Sequence, residues 1–134
     1  MNPRPIVLLD SVSAVSVETE GAIVITGSHA GISAARLALA HPPGVVVFND
    51  AGVGLERAGV AGLALLEAQG VAACAVAHDS ARIGEAASTL ATGVISESNR
   101  LAISLGAVPG RTVAAWLRSL PEATHTTRAD DDHS

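Results

Sequence analysis

"VITGSHAGISAARLA", Val24 to Ala38, decides the fold class. It continues an apolar run that begins at Ala22, breaks at a glycine turn, and resumes with apolar residues at helical spacing (Ile32, Ala35, Leu37, Ala38, Leu39). A strand with no polar alternation is covered on both faces, as in a parallel sheet. A glycine turn between such a strand and a helix brings backbone N–H groups and the positive end of the helix dipole to one place, an arrangement that holds a phosphate or carboxylate. The plainer alternative is that Gly27 and Gly31 only permit a tight turn or close packing of strand on helix.

Outward from this stretch the pattern repeats. "HPPG" (His41–Gly44) stops the first helix, because proline cannot continue its hydrogen-bond ladder. "VVVFND" (Val45–Asp50) reads as a second buried strand, "AGVGLERAG" as a glycine-rich loop, and "VAGLALLEAQG" as a helix closed by Gly70. "VAACAVA" (Val71–Ala77) reads as a third buried strand, followed by "HDSARIGEAAST", a loop with room for a short helix. "GVISESNRLAISLG" (Gly93–Gly106) predicts an amphipathic helix with Val94, Ile95, Leu101, Ala102 and Leu105 on one side. Thr112 caps a last helix, "VAAWLRSL", which Pro121 ends. Upstream, "PIVLLDSVSAVSVE" predicts one or two strands between Ile6 and Val17.

Strands alternating with helices predict one α/β domain over residues 1–121. It is expected to hold a single layer of mostly parallel strands flanked by Ala-rich helices, to which the N-terminal strands can add an antiparallel edge. Residues 122–134, with four acids and one arginine, read as a disordered acidic tail.

Composition removes several classes of function. All eight cationic side chains are arginine, so Schiff-base and catalytic-ammonium chemistry on a lysine is excluded; the absence of tyrosine excludes a phenol acid. A net charge of −5 without a basic stripe or aromatic platform argues against nucleic acid. The lone Cys74, inside an apolar run, fits packing in a reducing compartment. "MNPRPIVLLDS" holds too short an apolar run for a signal peptide or membrane span, so no membrane partner and a cytoplasmic location are expected. With one Phe and one Trp, the core rests on Val, Ile, Leu and Ala. Such a core buries modest area per residue, which favours a homo-oligomer.

"TGSHAGIS" (Thr26–Ser33) resembles the TGxxxGIG turn of the short-chain dehydrogenases, and "NDAG" (Asn49–Gly52) resembles their NNAG segment. The resemblance implies a dinucleotide site, but it stops at these residues. The last glycine of the motif is Ser33, the two segments lie too close for the intervening strand–helix units, and the family's catalytic Tyr and Lys have no counterpart. No organic cofactor is therefore expected.

The candidate site comes from the three strand ends. The first runs into Ser28 and His29, the second into Asn49 and Asp50, the third into His78, Asp79, Ser80 and Arg82. If the strands are parallel neighbours, these residues share the sheet edge where open α/β folds bind ligands. His78, supported by Asp50 or Asp79, is the expected proton carrier, with His29 as a second carrier or electrophile. Arg82 and the Gly27–Gly31 turn are expected to hold a substrate anion, with Ser28, Asn49 and Ser80 as further contacts. Each has a bland alternative: Arg82 in a surface ion pair with Asp79 or Glu85, His78 as a solvated loop residue, Asp50 as a turn or helix cap. His29, Asp50, His78 and Asp79 together could hold a divalent metal, although no pair has HxH or HxxxH spacing.

The expectation is thus a small cofactor-independent hydrolase, or a lyase or isomerase, acting on a small anionic metabolite. The alternative is a non-catalytic ligand-binding or oligomeric assembly module.

Overall fold

The computed structural model describes residues 4–120 and the backbone of 123–128. Six strands form one sheet: β1 Arg4–Leu9, β2 Ile23–His29, β3 Val45–Asn49, β4 Ala72–Val76, β5 Ile95–Ser98 and β6 Ala123–Arg128. Their order is β5-β4-β3-β2-β1-β6, and every neighbouring pair is parallel except β4 with β5.

Helices cover both faces, as the unbroken apolar strands require. Ile23, Ile25, Val45, Val47 and Cys74 point into one core, with Ala86, Ala102, Val113, Trp116 and Leu117 from α3 (Ala86–Thr92), α4 (Arg100–Ser104) and α5 (Val113–Ser119). Val24, Val46, Phe48, Ala73 and Ala75 point into the other, beneath α1 (Ile32–Leu39) and α2 (Gly62–Ala68). That second layer is thin because its helices meet through small residues. A Cβ at Gly62 would lie 2.4 Å from the Gly31 carbonyl oxygen and 2.8 Å from Ala35 Cβ, so only glycine lets the two helices approach this closely. On the opposite face the one tryptophan is fully buried, and its Nε1–H donates to the Leu105 carbonyl at 3.0 Å.

Two expectations change. The antiparallel edge is not N-terminal: β1 is an interior parallel strand, and the antiparallel strand is β5 at the far edge. Of the one or two strands expected between Ile6 and Val17 there is one, β1. After Leu9 the chain makes two short 3-10 turns, Val12–Ala14 and Val17–Thr19, capped by the side chains of Ser11 and Ser16; serine competes for local backbone groups and so breaks a marginal strand. The helix predicted over 93–106 is split. Ile95–Ser98 is β5, and only Arg100–Ser104 is helical. Asn99 makes the break: its Oδ1 accepts from Ala102 N as a helix cap and from Ala73 N on β4, while its Nδ2 donates to the carbonyls of Leu63 and Val71.

Of the expected acidic tail, residues 122 and 129–134 lie outside the described residues, while the backbone of 123–128 runs beside β1. Among the described residues no helix is long and apolar enough to cross a membrane.

Candidate functional site

β2, β3 and β4 are adjacent and parallel, so their carboxyl ends form one rim. His29 is in register with Asn49, and Asn49 with Val76, two residues before His78. The predicted clusters therefore share an edge, but they do not form one site.

The β2 end is closed by backbone. Gly27 N–H donates to the Asp10 carbonyl, and the Gly27 carbonyl accepts from Gly84 N–H at 2.7 Å. A Cβ on Gly27 would lie 2.2 Å from Glu85 N and 2.5 Å from the Gly84 carbonyl carbon. Glycine is required there because another chain segment occupies the space. Thr89 of α3 fastens that segment by donating its hydroxyl hydrogen to the Thr26 carbonyl, and Asp10 Oδ1 accepts from Ala86 N–H at the start of α3. Ser28 Oγ accepts from Val12 N–H, and His29 Nδ1 accepts from Gly31 N–H at 3.0 Å. A Cβ on Gly31 would lie 2.9 Å from His29 Nδ1 and 3.1 Å from the Ala58 carbonyl oxygen. Gly27, Ser28, His29 and Gly31 thus serve the turn, and none of them lines the adjoining cleft.

The β3 and β4 ends are open. Between them and the 78–92 segment lies a cleft of about 670 Å³, lined by Asn49, Ala51, His78, Asp79, Ser80, Ala81, Arg82, Ile83, Ser88 and Thr92. Asp50 lies against this wall, buried. Its Oδ1 accepts from Gly52 N–H at 2.8 Å and His78 N–H at 3.0 Å, and its Oδ2 accepts from the Ser96 hydroxyl at 2.7 Å. A carboxylate removed from water needs such donors. Above it, His78 Nδ1 stands 3.5 Å from Asp50 Oδ1, with its side chain 61% exposed to the cleft and solvent against 7% for Asp50. At 3.5 Å this is a close approach rather than a closed hydrogen bond; catalytic hydrogen bonds are commonly long before substrate binds.

Strain accompanies this geometry. Val53 N–H donates to the Asp50 carbonyl across a turn whose central residues, Ala51 (φ 52°) and Gly52 (φ 75°), are both left-handed. Val53 (φ 69°), Glu56 (φ 54°) and Arg57 (φ 61°) follow in the same region. A branched residue such as valine is seldom found there, and strained backbone concentrates at sites that need a fixed geometry. The turn both positions Asp50 and lays Gly52 beside the His78 ring, where a Cβ would sit 3.8 Å from Cε1.

The remaining expected groups divide. Asn49 is fully buried and ties the site together: Nδ2 donates to the Ala81 carbonyl and Oδ1 accepts from Ala51 N–H. Ser80 Oγ donates to the Ala77 carbonyl and accepts from Val94 N–H, so its hydroxyl shapes the loop. Arg82 projects at the mouth, 3.9 Å from Glu85, which is a loose surface pair. Asp79 lines the cleft but makes no contact with His78 that rivals Asp50. Among the described residues no three His, Cys, Asp or Glu side chains are grouped to hold a metal.

Sequence reasoning missed Ser96. Inside a predicted helix it fell on a solvated face; as part of β5, beside β4, it reaches Asp50. Ile83 was missed too; it is one of seven exposed large apolar side chains among the described residues, and it is the one of them that lines the cleft. No protein-family model, curated protein or solved structure matches the chain, so these residues are read from their own geometry.

Proposed function

We propose that the chain is a small acid–base enzyme acting on a small anionic metabolite without an organic cofactor. The observation that carries this reading is the Asp50 carboxylate, buried behind the wall, held by three donors and 3.5 Å from Nδ1 of His78, which lines the cleft. A carboxylate at Nδ1 favours the tautomer with its proton there and leaves Nε2 as the base. His78 Nε2 takes a proton from the substrate or from water, and Asp50 stabilises the imidazolium that forms. Arg82, at the mouth, holds the substrate anion through its planar donors. Hydrolysis of an ester or amide and a lyase or isomerase step all use this proton transfer.

Incubating the protein in D₂O with a panel of small carboxylic acids and their esters tests this, with ¹H NMR reading both C–H exchange and hydrolysis. His78→Ala should lower the rate by about 10²- to 10⁴-fold, the usual contribution of a positioned base. Equal turnover by the variant would remove His78 from the chemistry.

A second reading, an assembly module, is favoured by Ile83 exposed on the same wall. Its signature is a change of mass in light scattering on His78→Ala or Ile83→Ser. The acid–base reading predicts no such change.

A further inference from the structure

Three of the polar side chains that line the cleft have spent their donors on the fold. Ser80 gives its hydroxyl hydrogen to the Ala77 carbonyl, Thr92 gives its own to the Ser80 carbonyl at 2.6 Å, and Asn49 is bound at both ends of its amide. A hydroxyl has one hydrogen to donate, so Ser88, whose Oγ accepts from Arg82 N–H, keeps its own, and with His78, Asp79 and Arg82 it supplies the cleft's polar contacts; a ligand with many hydroxyls would leave most of them without the partners they had in water. The rest of the surface facing the space is mostly apolar, from Ala51, Ala81 and the exposed Ile83. The charged groups narrow the choice further. Arg82 is the cation among the lining residues, opposed by Asp79 on the wall and by Glu85 at 3.9 Å. One guanidinium beside a carboxylate at 3.9 Å, with a second carboxylate on the wall, suits a singly charged anion and disfavours a phosphate dianion. The glycine turn that could have supplied backbone donors to a phosphate is filled by the 84–85 backbone.

We infer that the ligand of this cleft is a monocarboxylate with a hydroxyl-poor, apolar body, ring-shaped or branched, and not a sugar or a phosphorylated metabolite. This rests on reading the cleft as the substrate site. The body lies against Ile83, Ala81 and Ala51, the carboxylate meets Arg82, and the reacting bond faces His78. Ile83 is thereby a specificity-determining residue, because it is the large apolar side chain on the cleft wall. A cleft of about 670 Å³ lies within the range of sites that take small organic ligands.

The test is a titration of the full chain with cyclohexanecarboxylate, benzoate, cyclohexanecarboxamide, inorganic phosphate and glucose 6-phosphate, followed by thermal shift and by backbone amide resonances of residues 78–83. The ring carboxylates should bind at least tenfold more tightly than phosphate, glucose 6-phosphate or the neutral amide. Arg82→Gln should weaken the carboxylates about tenfold, and Ile83→Ser about three- to fivefold; both side chains are exposed, so the variants should melt with the parent. Tighter binding of either phosphate, equal binding of carboxylate and amide, or unchanged affinity in both variants overturns the ligand class while leaving proton transfer by His78 standing. Carboxylate binding that moves residues 78–83 without turnover in D₂O upholds the ligand class and overturns the acid–base reading.

Discussion

The ends of β2 and β3 look alike in sequence: each is an apolar strand running into a small-residue turn, "TGSHAG" at one and "NDAGVG" at the other. Their structures are opposite. At the β2 end glycine is placed where space is lacking, and backbone from residues 84–85 fills the turn. At the β3 end Ala51 and Val53 occupy left-handed conformations that glycine would adopt at lower cost, and the turn faces an open cleft. One turn is closely packed and the other is strained and open. Glycine and polar residues together mark a tight turn; what marks the site is strain beside a buried charge and an unfilled space.

The largest expected effect is common to both ends and gives the baseline for separating them. Burial pushes the Cys74 thiol up to about 12 from 9.0. The chain has no Lys or Tyr, so Cys74 is the side chain whose ionisation most distinguishes folded from unfolded protein between pH 9 and 12. The folded state keeps the proton that the unfolded state releases. Stability is therefore fully present below pH 9 and falls as pH rises toward 12, by about 1.4 kcal/mol per unit and about 4 kcal/mol in all. Urea unfolding between pH 7 and 11 should show this slope, and Cys74→Ala should flatten it.

Next comes the closed end. Gly27→Ala drives a methyl into backbone atoms that cannot rotate away, and should cost about 3 kcal/mol or more in urea unfolding. A cost under about 1 kcal/mol would mean that the β2 end is open after all. The open end should respond with the opposite sign: Ala51→Gly removes left-handed strain and should stabilise by about 1 kcal/mol or slightly less, because glycine also adds disorder to the unfolded chain. A loss of stability there would show that the Ala51 conformation is not strained, and the contrast between the two turns would fail.

The alternation of strands and helices was legible because β2, β3 and β4 are buried on both faces, and their apolar runs admit no other placement. The shared rim followed from that. The pairing of Asp50 with His78 was one of several options in the sequence, since Asp79 is nearer along the chain; only the strained turn at Ala51 and Gly52 selects Asp50. β5 was illegible because Ile95–Ser98 is four residues long and the helix capped by Asn99 follows at once, so the apolar spacing across both runs mimics a helix. Ser96 was lost with it. The closure of the Gly27 turn was illegible for a different reason: it depends on a segment nearly sixty residues away, Gly84 and Glu85, that carries no mark of its partner.

The coupling of His78 to Asp50 is tested most directly by long-range ¹H–¹⁵N NMR of the His78 imidazole near neutral pH, in the parent and in Asp50→Asn. The parent should show the proton of the neutral ring on Nδ1 with Nε2 bare, and Asp50→Asn should shift the population toward the Nε2–H form. A His78 ring with its proton on Nε2 in the parent, or a tautomer unchanged by Asp50→Asn, would contradict the pairing and the proton transfer built on it.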